Sequence, residues 1–307
     1  MTKVLVTPRS LTRSGHPALR HLTEAGCEVI FSTPGVQPDE AQLLEKLPGC
    51  AGYLAGVEKV TARVLEAAAP TLKAIVRNGV GVDNIDLEAA RRLGIPVLPA
   101  VGANSRGVAE LTIALLLALA RAIPFSDAHL KAADWQRRKG VELEGKVLGL
   151  VGCGRIGGQV ARMACGLGMD VIAHDPYPPV QMPDGVRLTF LDEVLTTSDF
   201  VSLHCPAQAD GAPLIDARVL GTMKAGAYLI NTARASLLDG RAVLAALDDG
   251  RLAGLAIDVF ENEPPGDDPI TLHPKVIATP HVGGYTTESV DRAVGAAVDN
   301  LLEVLGK

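Results

Sequence analysis

Between residues 147 and 175 the chain reads VLGLV, then Gly152-Cys-Gly-Arg-Ile-Gly157, a helical pattern from Ile156 to Cys165, and a second apolar run, Val171 to His174, closed by Asp175. A strand-like run that meets G-x-G-x-x-G at a helix start, with an acid 18 residues after the last glycine, points to the strand, turn, helix and parallel strand of a dinucleotide-binding unit. Gly152 permits the tight turn, Gly154 lets backbone approach a pyrophosphate, and Gly157 lets the helix pack on its strand. Arg155 and Ile156 stand where the helix start offers amides and positive potential to an anion. Asp175 suits the two adenosine ribose hydroxyls and repels a 2′-phosphate; Pro176 and Tyr177 bring no arginine, so NAD(H) is expected over NADP. A second glycine pattern, Gly140 to Lys146, has P-loop spacing, but Val147 replaces the required Ser or Thr and the segment enters a strand.

The same alternation runs through the whole chain. Strand-like Val4 to Val6, Val29 to Phe31, Gly52 to Ala55 and Ala74 to Val76 are each followed by a helical pattern: Pro17 to Ala25, Asp39 to Leu47, Ala62 to Ala69 and Leu87 to Leu93. Strands separated by helix-length segments pair in parallel, with helices on both faces. Around Pro96 to Gly102 the alternation stops, a hinge is expected, and Asn104 is placed as N-cap of a long helical run through VAELTIALLLALARAI to Ile123. Six further strands are expected: Val147 to Val151, Val171 to His174, Phe200 to Leu203, Ala227 to Ile230, Gly254 to Ile257 and Val276 to Ala278. A last helix, Glu288 to Leu305, is expected to return to the first unit, with Gly306 just past its end. The expected fold is α/β with two doubly wound parallel-sheet domains: a flavodoxin-like substrate domain at 1–100 plus 285–307, and a Rossmann NAD-binding domain at 101–284.

Composition narrows the partners. Twenty-nine Lys and Arg against 35 Asp and Glu give −6, without a polybasic block, and only ten aromatic residues offer stacking platforms; nucleic acid is not an expected partner. Cys27, Cys50, Cys153, Cys165 and Cys205 are odd in number and lack C-x-x-C, so neither a disulfide framework nor a metal site is expected, and a cytoplasmic setting fits. The N-terminal apolar run is too short for a secretory signal, and Leu111 to Ala120 is far below a membrane span, so no membrane partner is expected.

With a nicotinamide inferred, the chemistry needs a group to grip an acid and a group to move a proton. Arg234 follows Tyr228 to Ile230 in Asn231-Thr-Ala-Arg, Glu263 follows Asp258-Val-Phe-Glu-Asn, and His281 follows Ala278-Thr-Pro, all at expected carboxyl ends of strands. Histidine donates protons near working pH, a carboxylate beside it favours the imidazolium, and arginine's fork suits a carboxylate. A 2-oxo acid presents those two needs on adjacent carbons. Singly, each residue has a plain structural explanation: a loop cap, a solvated acid, a turn histidine.

GCGRIG with Asp175, NTAR ending in Arg234, DVFENEPP with Asp258 and Glu263, and PHVGGYT beginning with His281 resemble, in order and over nearly the whole chain, the D-isomer-specific 2-hydroxyacid dehydrogenases. The resemblance implies an NAD-dependent dehydrogenase acting on CH-OH donors, with Arg234 binding substrate and the pair Glu263 and His281 serving as acid and base. It implies further cofactor contacts from Thr232, Ala233, Asp258 and Gly283, with His204 and Cys205 walling the cofactor pocket. The substrate loop would be Asn78, Gly79, Val80 and Gly81, together with Arg234 and His281. A small 2-oxo or 2-hydroxy acid is the implied partner, of glyoxylate/hydroxypyruvate or 3-phosphoglycerate type, and the implied assembly is a homodimer. Leu111 to Ala120 reads equally as a dimer surface or a buried helix, and Asn104 and Glu110 as cleft positions or as a cap and a helix-surface acid.

Two departures stand out. Ala235 follows Arg234 where many relatives carry glycine, and the loop after Ala55 reads Gly56-Val57-Glu58 where phosphoglycerate enzymes tend to be basic. Glu58 facing the substrate would repel a phosphate, which Arg9 and Arg13 could offset, and would instead suit an imino or amino-bearing acid. A dinucleotide-sensing binding protein of the same fold is the alternative from a different class.

Overall fold

The computed structural model describes residues 2–307. Two compact units divide them, one formed by residues 2–104 and 286–307, the other by 105–285.

In the first unit the chain runs β1 (Thr2–Val6), α1 (Arg9–Ser14), α2 (Leu19–Glu24), β2 (Cys27–Phe31), α3 (Glu40–Lys46), β3 (Gly52–Ala55), α4 (Ala62–Ala68), β4 (Ala74–Arg77), α5 (Leu87–Arg92) and β5 (Val97–Leu98). The second unit holds α6 (Ser105–Arg121), α7 (Ile123–Lys131), β6 (Val147–Val151), α8 (Gly157–Gly166), β7 (Asp170–His174), β8 (Val186–Leu188), α9 (Leu191–Thr197) and β9 (Phe200–Leu203). It continues with α10 (Ala217–Thr222), β10 (Ala227–Asn231), α11 (Gly240–Asp248), β11 (Leu252–Ile257), α12 (Pro269–Leu272) and β12 (Val276–Ala278); α13 (Thr287–Leu305) then rejoins the first unit.

The first sheet has the order β2-β1-β3-β4-β5 and the second β12-β11-β10-β9-β6-β7-β8, with parallel pairing throughout. Strands buried on both faces explain why their sequences read as unbroken apolar runs. Along β1, Val4 and Val6 enter one core with Leu54, Val76 and α13, while Leu5 enters the opposite core with Tyr53 and Ile75. In the second sheet Leu148, Phe200 and Ile230 face the α6 and α8 side, and Val201, Leu229 and Leu255 face the other.

Helix starts follow the short polar residues in the sequence. Asp39, Thr61, Asp86, Asp216, Asp239, Asp268 and Thr286 each accept a backbone N–H at the start of a helix, and Asp39 forms a reciprocal box with Gln42. Asn104 is the exception: its Oδ1 accepts nothing among the described residues, so the expected cap on α6 is not made. The long helical run also does not reach Ile123 unbroken. Ala122 takes a left-handed conformation (φ 50°, ψ 43°), and α7 leaves α6 at 64°.

Short elements escaped the pattern: α1, β5, α12 and the edge strand β8, which makes the second sheet seven-stranded where six strands are expected. The apolar run of α6 resolves as a core helix, with Thr112, Leu115, Leu116, Leu119 and Ala120 buried within the second unit. Glu110 lies on its exposed side, 2.5 Å from Arg106 at i,i+4 spacing.

Candidate active site

In the second sheet the chain order reverses between β6 and β9, and open α/β sheets bind ligands outside the carboxyl ends at such a point. There Gly152 has φ 95°, and its N–H donates to His174 O at 2.8 Å. A Cβ on Gly152 would lie 2.7 Å from the backbone of His204, and one on Gly157 would lie 2.2 Å from Gly152 O. Both glycines are therefore required by the protein itself. Gly154 differs: a Cβ there would meet nothing within 4 Å, and Gly154 and Arg155 are both exposed. This open face, at the mouth of the ten-residue α8 capped by Ile156, fits the approach of a ligand phosphate.

Asp175 follows β7 directly. One carboxylate oxygen accepts from Cys153 N–H and the other from Tyr177 N–H, each at 2.8 Å, which orients the acid beside the glycine turn. His204 and Cys205 follow β9, with their backbone against Gly152. Nε2 of His204 lies 2.9 Å from Ser202 Oγ, and burial pushes the imidazole down to about 4, so it stays neutral near pH 7. Burial likewise pushes the Cys153 and Cys205 thiols up, which removes them as ready nucleophiles.

At the same edge, β10, β11 and β12 lead into the three residues with acid, base and carboxylate-binding chemistry. Asn231, the fully buried last residue of β10, accepts from Ala233 N–H at 3.0 Å and donates to Arg234 O at 2.8 Å, tightening the turn that presents Arg234. Thr232 lies 3.0 Å from Thr112, whose hydroxyl hydrogen is committed to Val108 O, so Thr232 is the donor. Glu263 and His281 meet directly, Nδ1 lying 2.8 and 2.9 Å from the two carboxylate oxygens. A carboxylate only accepts, so Nδ1 carries the hydrogen and Nε2 is left for exchange with a ligand.

His281 has φ 52°, a left-handed conformation that costs a non-glycine residue about 1–2 kcal/mol. Asp258, 2% exposed, holds it there. Its Oδ1 accepts from Thr279 Oγ1 at 2.6 Å and Val282 N–H at 2.9 Å, and its Oδ2 from Gly283 N–H at 2.8 Å. A side chain at Gly283 would crowd this carboxylate, because a Cβ would stand 3.0 Å from Asp258 Oδ2 and 3.2 Å from Val108. Thr279 and Asn231 thus hold the two turns in place, a role not expected for them although both lie within the quoted segments Ala278-Thr-Pro and Asn231-Thr-Ala-Arg.

Asn78, Gly79, Val80 and Gly81, where a substrate loop is expected, lie in the first unit, after β4 at the carboxyl edge of its sheet. Asn78 N–H donates to Ala55 O at 3.0 Å, and its Oδ1 is buried without a hydrogen-bond partner among the described residues. Glu58 corrects an expectation. It is 1% exposed and its carboxylate is engaged by Tyr53, Thr7 and Gly56, so its charge is withheld from a ligand by burial and bonding. The grounds it offered against a phosphorylated acid, and for an amino-bearing one, fall with that.

Residues 113–283 match the family described as D-isomer specific 2-hydroxyacid dehydrogenase, NAD binding domain. The chain belongs to this family. It is 41% identical over 304 residues to D-3-phosphoglycerate dehydrogenase of Methanocaldococcus jannaschii, covering 97% of this chain and 56% of that one. The chain spans about half the length of the curated relatives it matches. Among solved structures it is similar to a Thermus thermophilus protein (TM-score 0.90, 38% identity, 99% of this chain and 97% of the other). It is also similar to the Aquifex aeolicus D-lactate dehydrogenase complexed with NAD and lactic acid (TM-score 0.85, 29% identity, 99% and 96%).

Proposed function

We propose that this member of the family is an NAD(H)-dependent oxidoreductase that interconverts a small 2-oxo acid and its D-2-hydroxy acid. The observation that carries the reading is the Glu263–His281 pair at the carboxyl edge of the sheet that also bears the glycine turn. Gly152, Gly154, Arg155, Ile156, Gly157 and Asp175 would hold the dinucleotide, with Thr232, Ala233, His204, Cys205, Asp258 and Gly283 around it. When bound, NADH supplies the hydride that reaches C2.

His281 gives a proton from Nε2 to the carbonyl oxygen as that oxygen gains charge, and Glu263 stabilises the imidazolium and fixes the ring. Arg234, half-buried, binds the substrate carboxylate through its planar fork. In the reverse direction neutral His281 takes the hydroxyl proton. Asn78 to Gly81 supply the remaining substrate contacts.

The assembly we propose is a homodimer, supported by the exposed apolar side chains of Ile123, Leu130 and Trp135 on and just after α7. The cysteines are free, which fits a reducing compartment, and we place the protein in the cytoplasm.

The test is NADH oxidation followed by absorbance against glyoxylate, hydroxypyruvate, pyruvate, 2-oxoglutarate and 3-phosphohydroxypyruvate, each repeated with NADPH. Turnover of at least one acid with a preference for NADH is expected. NADH binding without turnover of any acid would sink the enzymatic reading and favour a sensing role.

A further inference from the structure

The first unit buries two opposite charges that the proposed chemistry does not use. Glu58, on the turn between β3 and α4, accepts at Oε1 from Tyr53 OH at 2.6 Å, from Gly56 N–H at 2.8 Å, and from the Thr7 hydroxyl in a short bond. Arg77, the 5% exposed last residue of β4, donates to Ala55 O at 3.2 Å, to Gly56 O in a short bond, and through Nε to Gly81 O at 2.8 Å.

Gly56 is thus gripped at both ends, its N–H by a carboxylate and its carbonyl by a guanidinium. The same guanidinium reaches the far end of the loop 78–81. Asn84 closes the arrangement, donating to Glu58 O at 2.6 Å and to Gly56 O at 3.3 Å. A side chain at 56 would push this carboxylate out of place, since a Cβ would stand 2.6 Å from Glu58 Oε2 and 3.1 Å from Pro8 Cα. Burial, followed by the nearby Glu58 charge, pushes the Tyr53 hydroxyl well above its usual range, so it remains a donor to the carboxylate.

Burying a carboxylate is expensive, and apolar residues of similar volume stabilise a core at least as well. What the charges supply here is a set of short, directional bonds to backbone atoms of two neighbouring loops. We propose that Glu58 is a positioning residue for the substrate: through Gly56 and Arg77 it fixes the backbone of residues 78–81 in the conformation that receives the acid. The proposal rests on the reading of that loop as substrate-binding, and the acid concerned is the 2-oxo acid of the proposed reaction.

Steady-state kinetics on three full-length variants test it, with the preferred acid from the substrate panel as probe. Glu58→Gln keeps shape and removes charge; the KM for the acid is expected to rise about tenfold, with kcat and the KM for NADH within about twofold of wild type. Tyr53→Phe removes one donor without stranding a charge, and is expected to shift the same KM in the same direction by less; it carries the test if Glu58→Gln does not fold. Asn78→Ala probes the loop itself.

If Asn78→Ala raises the KM for the acid while Glu58→Gln and Tyr53→Phe leave it unchanged, the positioning role is overturned and the loop reading stands. An unchanged KM in Asn78→Ala overturns the loop reading and the proposal with it. Parallel losses in both substrates that track a fall in Tm would reduce Glu58 to a structural residue.

Discussion

Nδ1 of His281 sits between the two carboxylate oxygens of Glu263, 2.8 Å from one and 2.9 Å from the other. This leaves one nitrogen for a ligand and places a negative charge where the imidazolium needs it. His281→Ala is expected to lower kcat by about 10²- to 10⁴-fold while leaving the Kd for NADH nearly unchanged. Glu263→Gln should cost less, because the imidazole stays in place. Near-normal turnover in His281→Ala would remove it from the chemistry.

Asp258 bonds two backbone amides and a hydroxyl around His281, and so keeps that residue in its left-handed conformation. Asn at this position offers one acceptor oxygen where two are used, and turns an N–H₂ toward an N–H. Asp258→Asn should lower Tm and reduce kcat, and Thr279→Val should do the same more mildly. Steady-state kinetics and thermal melts on both variants check this; an unchanged kcat in Asp258→Asn would contradict it.

The glycines of the dinucleotide turn should separate into two classes. At Gly157 the obstacle to a side chain is Gly152 O, 2.2 Å away, so Gly157→Ala is expected to lower Tm and abolish NADH binding together. At Gly154 the protein offers no obstacle within 4 Å, so Gly154→Ala should melt like wild type and still bind NADH more weakly. Calorimetric titration beside a melt distinguishes them. Equal NADH affinity in Gly154→Ala and wild type would mean that the dinucleotide does not approach that face.

His204 gives a pH dependence of stability. Its folded value of about 4 lies below the ordinary 6.5, so the unfolded chain binds more protons between those limits and stability falls as pH drops through that window. Between pH 7.5 and pH 5 this one group should remove about 2 kcal/mol. Urea denaturation of wild type and His204→Gln at the two pH values should show the variant losing less, since the carboxylate contributions are common to both. Equal losses would refute the assignment.

Most of the strands, the family motifs and the order of the site residues were legible because each is a local pattern: an apolar run, a capping residue, a glycine turn. β8 and β5 were not, since three- and two-residue edge strands carry no periodicity. Glu58 shows the deeper limit. Its charge was visible, but its partners are Thr7 and Tyr53, 51 and five residues away, which only the folded sheet brings to it. The break at Ala122 did carry a signal, Pro124 in the first turn of α7, although nothing local marks Ala122 itself as the left-handed residue.

The return of α13 to the first unit sets an order in time. Val294, Ala297, Val298 and Leu301 fill the same core as Val4, Val6, Leu54 and Val76, and Gly52 leaves the hollow in which Leu301 is seated, 2.8 Å from where a Cβ would be. The first hundred residues leave the ribosome well before α13, and although Leu11, Leu19 and Leu22 of α1 and α2 join this core, β3 and β4 lack the cover of α13 until residues 287–305 are made. The second unit, contiguous from 105 to 285, needs no such wait. The second unit can therefore close before the first, whose opening segment must keep that apolar surface out of trouble until α13 has been made.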